Sequence, residues 1–385
     1  MKLLHFSDIH IGVENYSKLD PQTGLSTRLL DFFKTFDFIV DTAIENKVDA
    51  VIFAGDAYKT RDPNPTQQRG FGERIRKIAK TGIPVILVVG NHDTPNAQGR
   101  ANTLDIYSAL EIDNVWVSRK PELLEIPTKS GKLQVVTLPW LHKDDYRKVG
   151  DQLKSLYDKI DTSPTGGPAI FLSHCEVEGA SYGYEKGMAI ANDVTVPLPL
   201  LQDKRLSYVA LGHIHKHQIL SQNPLVVYCG SPHRIDFGEE GEEKGICLVE
   251  IGKSTSFKFI PTNCRQFLSI DINLKPDDKN PTQTILDEIA KHNIIEKVVR
   301  LTINIPSDCE TEIQIDQIKK ALSSAHVIAG ISKNIERKER VRIDGQEEVE
   351  RLTPIEALKK YFDAKKYSKE KIKELEKYAA QIFES

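Results

Sequence analysis

Five short polar motifs each close an apolar run: Asp8-Ile9-His10, Gly55-Asp56, Gly90-Asn91-His92-Asp93, His174 and Gly212-His213-Ile214-His215. They hold five of the chain's 11 histidines. Carboxylate, carboxamide and imidazole in that number supply the donors for two neighbouring divalent cations. Cations about 3.5–4 Å apart clamp the attacking and leaving oxygens of an in-line displacement at phosphorus. Two ions that close repel each other and need an anionic bridge. Asp56 is the candidate, with Gly55 letting the backbone turn sharply into the site. Imidazole beside carboxylate suits Mn, Fe or Zn better than Mg or Ca, which prefer all-oxygen surroundings. No cysteine falls within the motifs, which argues against a thiolate zinc site.

The preceding runs predict what positions these residues. Leu3 to Phe6, Val51 to Ala54, Pro84 to Val89, Ala169 to Leu172 and Tyr208 to Leu211 are aliphatic stretches of strand length. In α/β sheets ligands bind at the carboxyl ends of strands, so one edge would gather residues far apart in sequence. Taken singly, Gly-Asp and Gly-Asn-His-Asp read as turns. Their joint occurrence, always after a strand, points to a bimetallic phosphoesterase. His213 and His215, two residues apart, are expected on one face of a strand.

Between the motifs, Leu29 to Ile44 and Phe71 to Thr81 have helical spacing, and strands are expected at 225–228, 246–251 and 257–260. Near Cys264-Arg265 the pattern changes. A strand at 267–272, a helix at 281–293, a strand at 298–305, a helix at 313–323 and a strand entered at 327–331 suggest a small α+β domain of β-α-β-β-α-β-like order. That last strand would contain Ile335, Val341 and Ile343. Thr353-Pro354-Ile355-Glu356 reads as a helix start with Pro at the first position and Glu at the third. A second amphipathic stretch runs from Ser368 through Ile372, Leu375, Ala379 and Ile382. The expected domains are therefore 1–264, 265–345 and a helical tail at 346–385.

The motifs resemble those of the calcineurin-like metallophosphoesterases, and within them the SbcD-type nucleases. The discriminating stretch is Tyr228-Cys229-Gly230-Ser231-Pro232 with Asp236-Phe237-Gly238-Glu239 and Glu243-Lys244-Gly245. The resemblance implies a four-layer αββα sandwich with a small α+β capping domain. It implies one metal on Asp8, His10 and His215, another on Asn91, His174 and His213, and Asp56 bridging both. His92 would sit over the scissile phosphate without binding metal. The implied activity is Mn-dependent, 3′-to-5′ on duplex DNA ends and endonucleolytic on single strands and hairpins. The implied partners are DNA, an SbcC-type coiled-coil ATPase held by the helical tail, and a second copy of the chain. Residues between Leu29 and Ile44 or between Leu104 and Leu110 would supply that dimer contact. Many relatives carry His or Asp where Lys59 stands. Lys59 and Arg61 read equally as phosphate contacts and as solvated loop charges.

Composition sets bounds. At 385 residues more than one domain is expected. The formal net charge of −3 does not advertise nucleic-acid binding, so a DNA enzyme of this charge needs a local basic surface or a basic partner. Lys333, Arg337, Lys338, Arg340 and Arg342 cluster, but Glu336 and Glu339 dilute them, and the cluster reads first as a solvated strand face. Five scattered cysteines fit a reducing compartment. No signal peptide opens the chain and no apolar run approaches the roughly 20 residues of a membrane span. A cytoplasmic protein is expected. A cyclic-nucleotide phosphodiesterase is the competing reading, since the metal motifs permit it. A phosphoprotein phosphatase would carry Asp-Arg-Gly after the Gly-Asp motif, and none stands there. A non-catalytic scaffold would not need an intact ligand set.

Overall fold

The computed structural model describes residues 1–336 except 96–98, 143–146, 184–193 and 307–312, and past 352 a scatter of positions up to 379. Strands β1 (Lys2–Phe6), β2 (Ala50–Phe53), β3 (Val85–Val88) and β4 (Val115–Ser118) lie parallel in that order. Next come β5 (Glu122–Thr128), β6 (Gly131–Leu138) and β7 (Ala169–His174), a short pair β8 (Glu176–Val177) and β9 (Thr195–Val196), then β10 (Leu206–Gly212), β11 (Gln218–Gln222) and β12 (Leu225–Tyr228). Strands β13 (Gly245–Ile251) and β14 (Thr255–Pro261) return to the first sheet, β13 antiparallel to β1. Two six-stranded sheets result, ordered β14-β13-β1-β2-β3-β4 and β11-β12-β10-β7-β6-β5.

Alternation along each strand decides what faces what. In β1, Leu3 points between the sheets while Leu4 and Phe6 point outward. The inner layer sets Leu3, Ile52, Ile86 and Val88 against Val135, Ile170, Leu172 and Ala210. Helices α1 (Thr27–Glu45) and α2 (Pro65–Ala79) cover the outer face of the first sheet. Phe32, Phe36, Phe53 and Phe71 are wholly buried there, each stabilising by roughly 1.5–3 kcal/mol relative to exposure. A short helix, α3 (Asp105–Ala109), adds Tyr107. Helix α4 (Val149–Tyr157) covers the second sheet through Leu153, Leu156 and Tyr157. The architecture is a four-layer αββα sandwich.

Helix α2 starts at Pro65, six residues before its apolar spacing becomes visible. Asn64 and Gln67 form a reciprocal capping box, and that signal is polar. A Cβ on Gly70 would come within 2.1 Å of the Phe33 ring, so this glycine is what lets α1 and α2 approach. The apolar residues of α1 expected at a dimer contact, Leu29, Phe32, Phe36, Ile39, Val40 and Ala43, are spent on the core. Ile106 and Leu110 in the second candidate segment are more than half exposed.

A smaller unit follows: β15 (Phe267–Asn273), α5 (Pro281–Ala290), β16 (Val298–Ile305), α6 (Ile315–Ala321) and β17 (Val327–Ile335). Its three strands are parallel, in the order β15-β16-β17, around their own apolar cluster. The order among the described residues is therefore β-α-β-α-β, not the β-α-β-β-α-β-like order expected. Each helix is a crossover between parallel neighbours, which no tight hairpin can join. Arg265 ties this unit to α1 with a two-pronged pair to Asp31 at 2.5 and 2.7 Å.

Arg337, Lys338, Arg340, Arg342, Val341 and Ile343 lie outside the described residues; Lys333 is exposed on β17. In the tail the described positions between 356 and 362 and between 369 and 379 are helical. Thr353 and Glu356 cap each other, Thr353 Oγ1 donating at 2.7 Å and accepting from the Glu356 N–H at 3.4 Å.

Candidate metal centre

The carboxyl ends of β1, β2 and β3 in one sheet and of β7 and β10 in the other meet at one edge. Every motif residue sits in, or just past, one of those ends. The backbone there is forced into unusual shapes. Asp8 (φ 52°), His10 (φ 53°), Asp56 (φ 62°) and His213 (φ 95°) all adopt positive φ. Such conformations cost about 1–3 kcal/mol each outside glycine and collect at functional sites. The turn at His213 also explains why it and His215 do not share a strand face. Both follow the end of β10 and their rings diverge to different neighbours.

Asp56 lies at the middle. Its Oδ2 is 3.5 Å from His10 Nε2 and 3.4 Å from His174 Nε2. On the first side, His10 Nε2 is 3.0 Å from His215 Nε2 and 4.0 Å from Asp8 Oδ1. On the second, Asn91 Oδ1 is 2.9 Å from His174 Nε2 and 3.3 Å from His213 Nδ1. All seven side chains expected from the sequence are thus brought together, in two groups of three about Asp56. His92 stands at the rim, half-buried, its ring 4.9 Å from that of His10.

Hydrogen bonds behind the rings decide which nitrogen faces inward. His174 Nδ1 donates to the Ala54 carbonyl at 2.7 Å, and His92 Nδ1 to the Lys59 carbonyl at 2.8 Å. A carbonyl only accepts, so in both rings Nδ1 carries the proton and Nε2 faces the centre. His215 Nδ1 donates to Glu239 Oε1 at 2.7 Å, with the same result. Asp8 accepts the His213 N–H at 3.1 Å, and Asp56 Oδ1 accepts that of His92 at 2.9 Å.

Burial lowers His213 to a pKa of about 3 and His10 well below its ordinary value. Burial also opposes charge on His174 and His215, yet both rise to about 9. The Asp56 charge and hydrogen bond overcome it at His174, and Glu239 does so at His215. Metal ligation would replace those protons at Nε2. Nitrogen and oxygen donors converging from buried, oriented side chains fit a pair of divalent cations. Asp8, His10 and His215 bring ligand atoms within 4.8 Å of one another.

Two residues without an assigned role prove structural to this centre. Asp93 accepts N–H groups from Gly90 (3.0 Å), Asp56 (2.9 Å) and Ala57 (3.0 Å), riveting the β2 and β3 loops together. Burial and the nearby Asp56 charge push its pKa to about 7. Its place in the Gly90-Asn91-His92-Asp93 turn was the available signal, since Asp commonly accepts local backbone N–H groups. Glu239 stood in the family-like stretch Asp236 to Glu239, but nothing in the sequence pointed to its partner 24 residues away. Arg61 donates to the Thr94 carbonyl at 2.6 Å, which gives it a structural tie.

Residues 1–217 match the family described as calcineurin-like phosphoesterase. Among curated proteins, the chain is 28% identical over 297 residues to the DNA double-strand break repair protein Mre11 of Sulfurisphaera tokodaii, covering 75% of this chain and 68% of that one. To the SbcD component of nuclease SbcCD from Bacillus subtilis it is 26% identical over 270 residues, 65% of this chain and 66% of the relative. To the same component from Escherichia coli K12 it is 26% identical over 350 residues, with 80% and 83% covered.

Proposed function

The chain belongs to the calcineurin-like phosphoesterase family, and from that premise we propose that it is the nuclease subunit of a DNA end-processing complex. The observation that carries the reading is the pair of three-residue groups about Asp56, contributed by both sheets. Support for DNA as substrate comes from relatives named for break repair and nuclease activity, aligned well past the shared metal motifs.

In this reading Asp8, His10 and His215 would hold one cation and Asn91, His174 and His213 the other, with Asp56 shared between the two groups. Mn(II) is the proposed metal. When bound, the two ions supply Lewis acidity and a water activated near neutral pH. The chain's own residues do the rest. Asp93 keeps the two carboxylate- and carboxamide-bearing loops in register. His92, with Nδ1 spent on Lys59, presents Nε2 to the scissile phosphate, where it stabilises the departing oxygen or hands it a proton. Trp140 and Leu141 flank His174 and His213 beside the centre.

The proposed substrates are duplex ends, digested 3′-to-5′, and single strands and hairpins, cut internally. The small unit after residue 264 acts as a cap that selects DNA shape. The tail helices dock on a coiled-coil ATPase, and exposed Ile106 and Leu110 join two copies. Among the described residues no helix is long and apolar enough to cross a membrane.

The deciding experiment incubates end-labelled duplex and hairpin DNA with the protein and Mn(II), beside a cyclic-nucleotide control. Degradation of both DNAs is expected, falling at least about a hundredfold in His92→Ala while metal binding is retained. Inert DNA with rapid turnover of the cyclic ester would overturn the nuclease reading.

A further inference from the structure

Phe237–Glu239 form a single 3-10 turn lying between the metal centre and the small unit. Its side chains leave in opposite directions. Phe237 stacks on Phe267 of β15, centroids 5.0 Å apart, and carries Arg300 of β16 4.4 Å from its ring centre. The next residue, Glu240, accepts the Ser269 N–H of β15 at 2.9 Å. Glu239 points the other way, buried, with Oε1 2.7 Å from His215 Nδ1. Its second oxygen accepts the Ile235 N–H at 2.8 Å and the Lys244 ammonium at 3.0 Å. Lys244 is itself buried and donates to Ser231 Oγ at 3.0 Å and the His215 carbonyl at 3.2 Å.

A carboxylate behind an imidazole fixes the ring's tautomer and its angle, and makes the inward nitrogen a better donor. The contrast within the centre is what matters. His174 and His92 rest on backbone carbonyls of the sandwich itself. His215 rests on a side chain borne by the turn that also seats the small unit. A shift of β15 that drags Phe237 and Glu240 would therefore move Glu239, and with it one ligand on one side of Asp56.

We propose that Glu239 is a positioning residue for His215, and that the segment Asp236 to Glu240 transmits the seating of the small unit to the Asp8–His10–His215 group alone. The inference rests on the two-metal reading above. It gives the small unit a task beyond contact with substrate: it sets how firmly one of two cations is held, leaving the Asn91–His174–His213 group unaffected.

Calorimetric titration of chelator-stripped protein with Mn(II) tests it, together with the visible absorption spectrum of the Co(II)-loaded form. Wild type is expected to take up two equivalents. Glu239→Ala should weaken one binding step by about 10–100-fold and leave the other within about twofold. The Co(II) bands should shift, and Glu239→Gln, which keeps an acceptor for His215 Nδ1–H, should recover part of the loss. Arg300→Ala removes an exposed side chain that sits on Phe237 and donates to Ser269 Oγ at 3.0 Å, and should weaken the same step several-fold. Two unchanged steps in Glu239→Ala, or equal weakening of both, would overturn the positioning role. An unaltered Arg300→Ala titration would overturn the transmission. Wild type that binds fewer than two ions would instead sink the two-metal reading.

Discussion

Gly90 shows how little room the centre leaves. A Cβ there would lie 2.1 Å from Asp56 Oδ1 and 2.5 Å from the Asp56 nitrogen. Gly90→Ala must displace the Asp56 carboxylate. It is expected to cost about 1–3 kcal/mol of stability, as overpacking does, and to abolish the rise in melting temperature on adding Mn(II), measured by scanning calorimetry. The positions of the converging side chains were legible in the sequence because each follows an apolar run, and a parallel strand buried on both faces leaves that signature. The partners that orient those side chains were not. Glu239 and Asp93 act through contacts made by folding, and a carboxylate 24 residues from its imidazole leaves no periodic trace. Placing His213 and His215 on one strand face failed because the strand stops at Gly212 and the backbone of His213 turns left-handed.

At the scale of elements, legibility tracked burial. Strands β1, β2, β3, β7 and β10 are buried almost throughout and were readable as continuous apolar runs. The β5–β6 hairpin was not: β5 is a sheet edge, half exposed, and carries Pro127, while β6, though buried from Leu133 to Leu138, has its apolar run broken by Gln134 and Thr137. An edge strand needs no hydrophobic alternation on its open side, and tolerates proline. Helix α2 shows its apolar spacing late because its start is polar. The tail has the same kind of start in Thr353 and Glu356. If those helices are the docking element for the ATPase, a chain ending at Arg351 should still degrade short DNA with Mn(II), yet fail to be retained by the immobilised ATPase. Retention equal to that of the full chain would show that the tail only folds back.

For the whole molecule, the centre links acidity to stability. In metal-free protein the pKa values of His174 and His215 are raised to about 9, above the ordinary imidazole value near 6.5. The folded state therefore binds protons more tightly than the unfolded one between those limits. Their contribution is fully present below pH about 6.5 and is lost as pH rises through about 9. Chelator-treated protein should melt at progressively lower temperature over that range, and Mn(II) should restore stability more effectively at higher pH, where its competitor proton has gone. A flat melting profile would place the imidazoles in some other ionisation state. The two sheets carry a further consequence. Asp8, His10, Asp56 and Asn91 ride on one, and His174, His213 and His215 on the other. They are the jaws of a calliper whose shim is the greasy filling of Leu3, Ile52 and Val88 against Val135, Ile170 and Ala210. Shaving a methylene from that shim touches none of those seven side chains, yet leaves slack between the jaws, so mutational drift deep in the oil becomes a dial on how firmly the two halves of the centre are held in register.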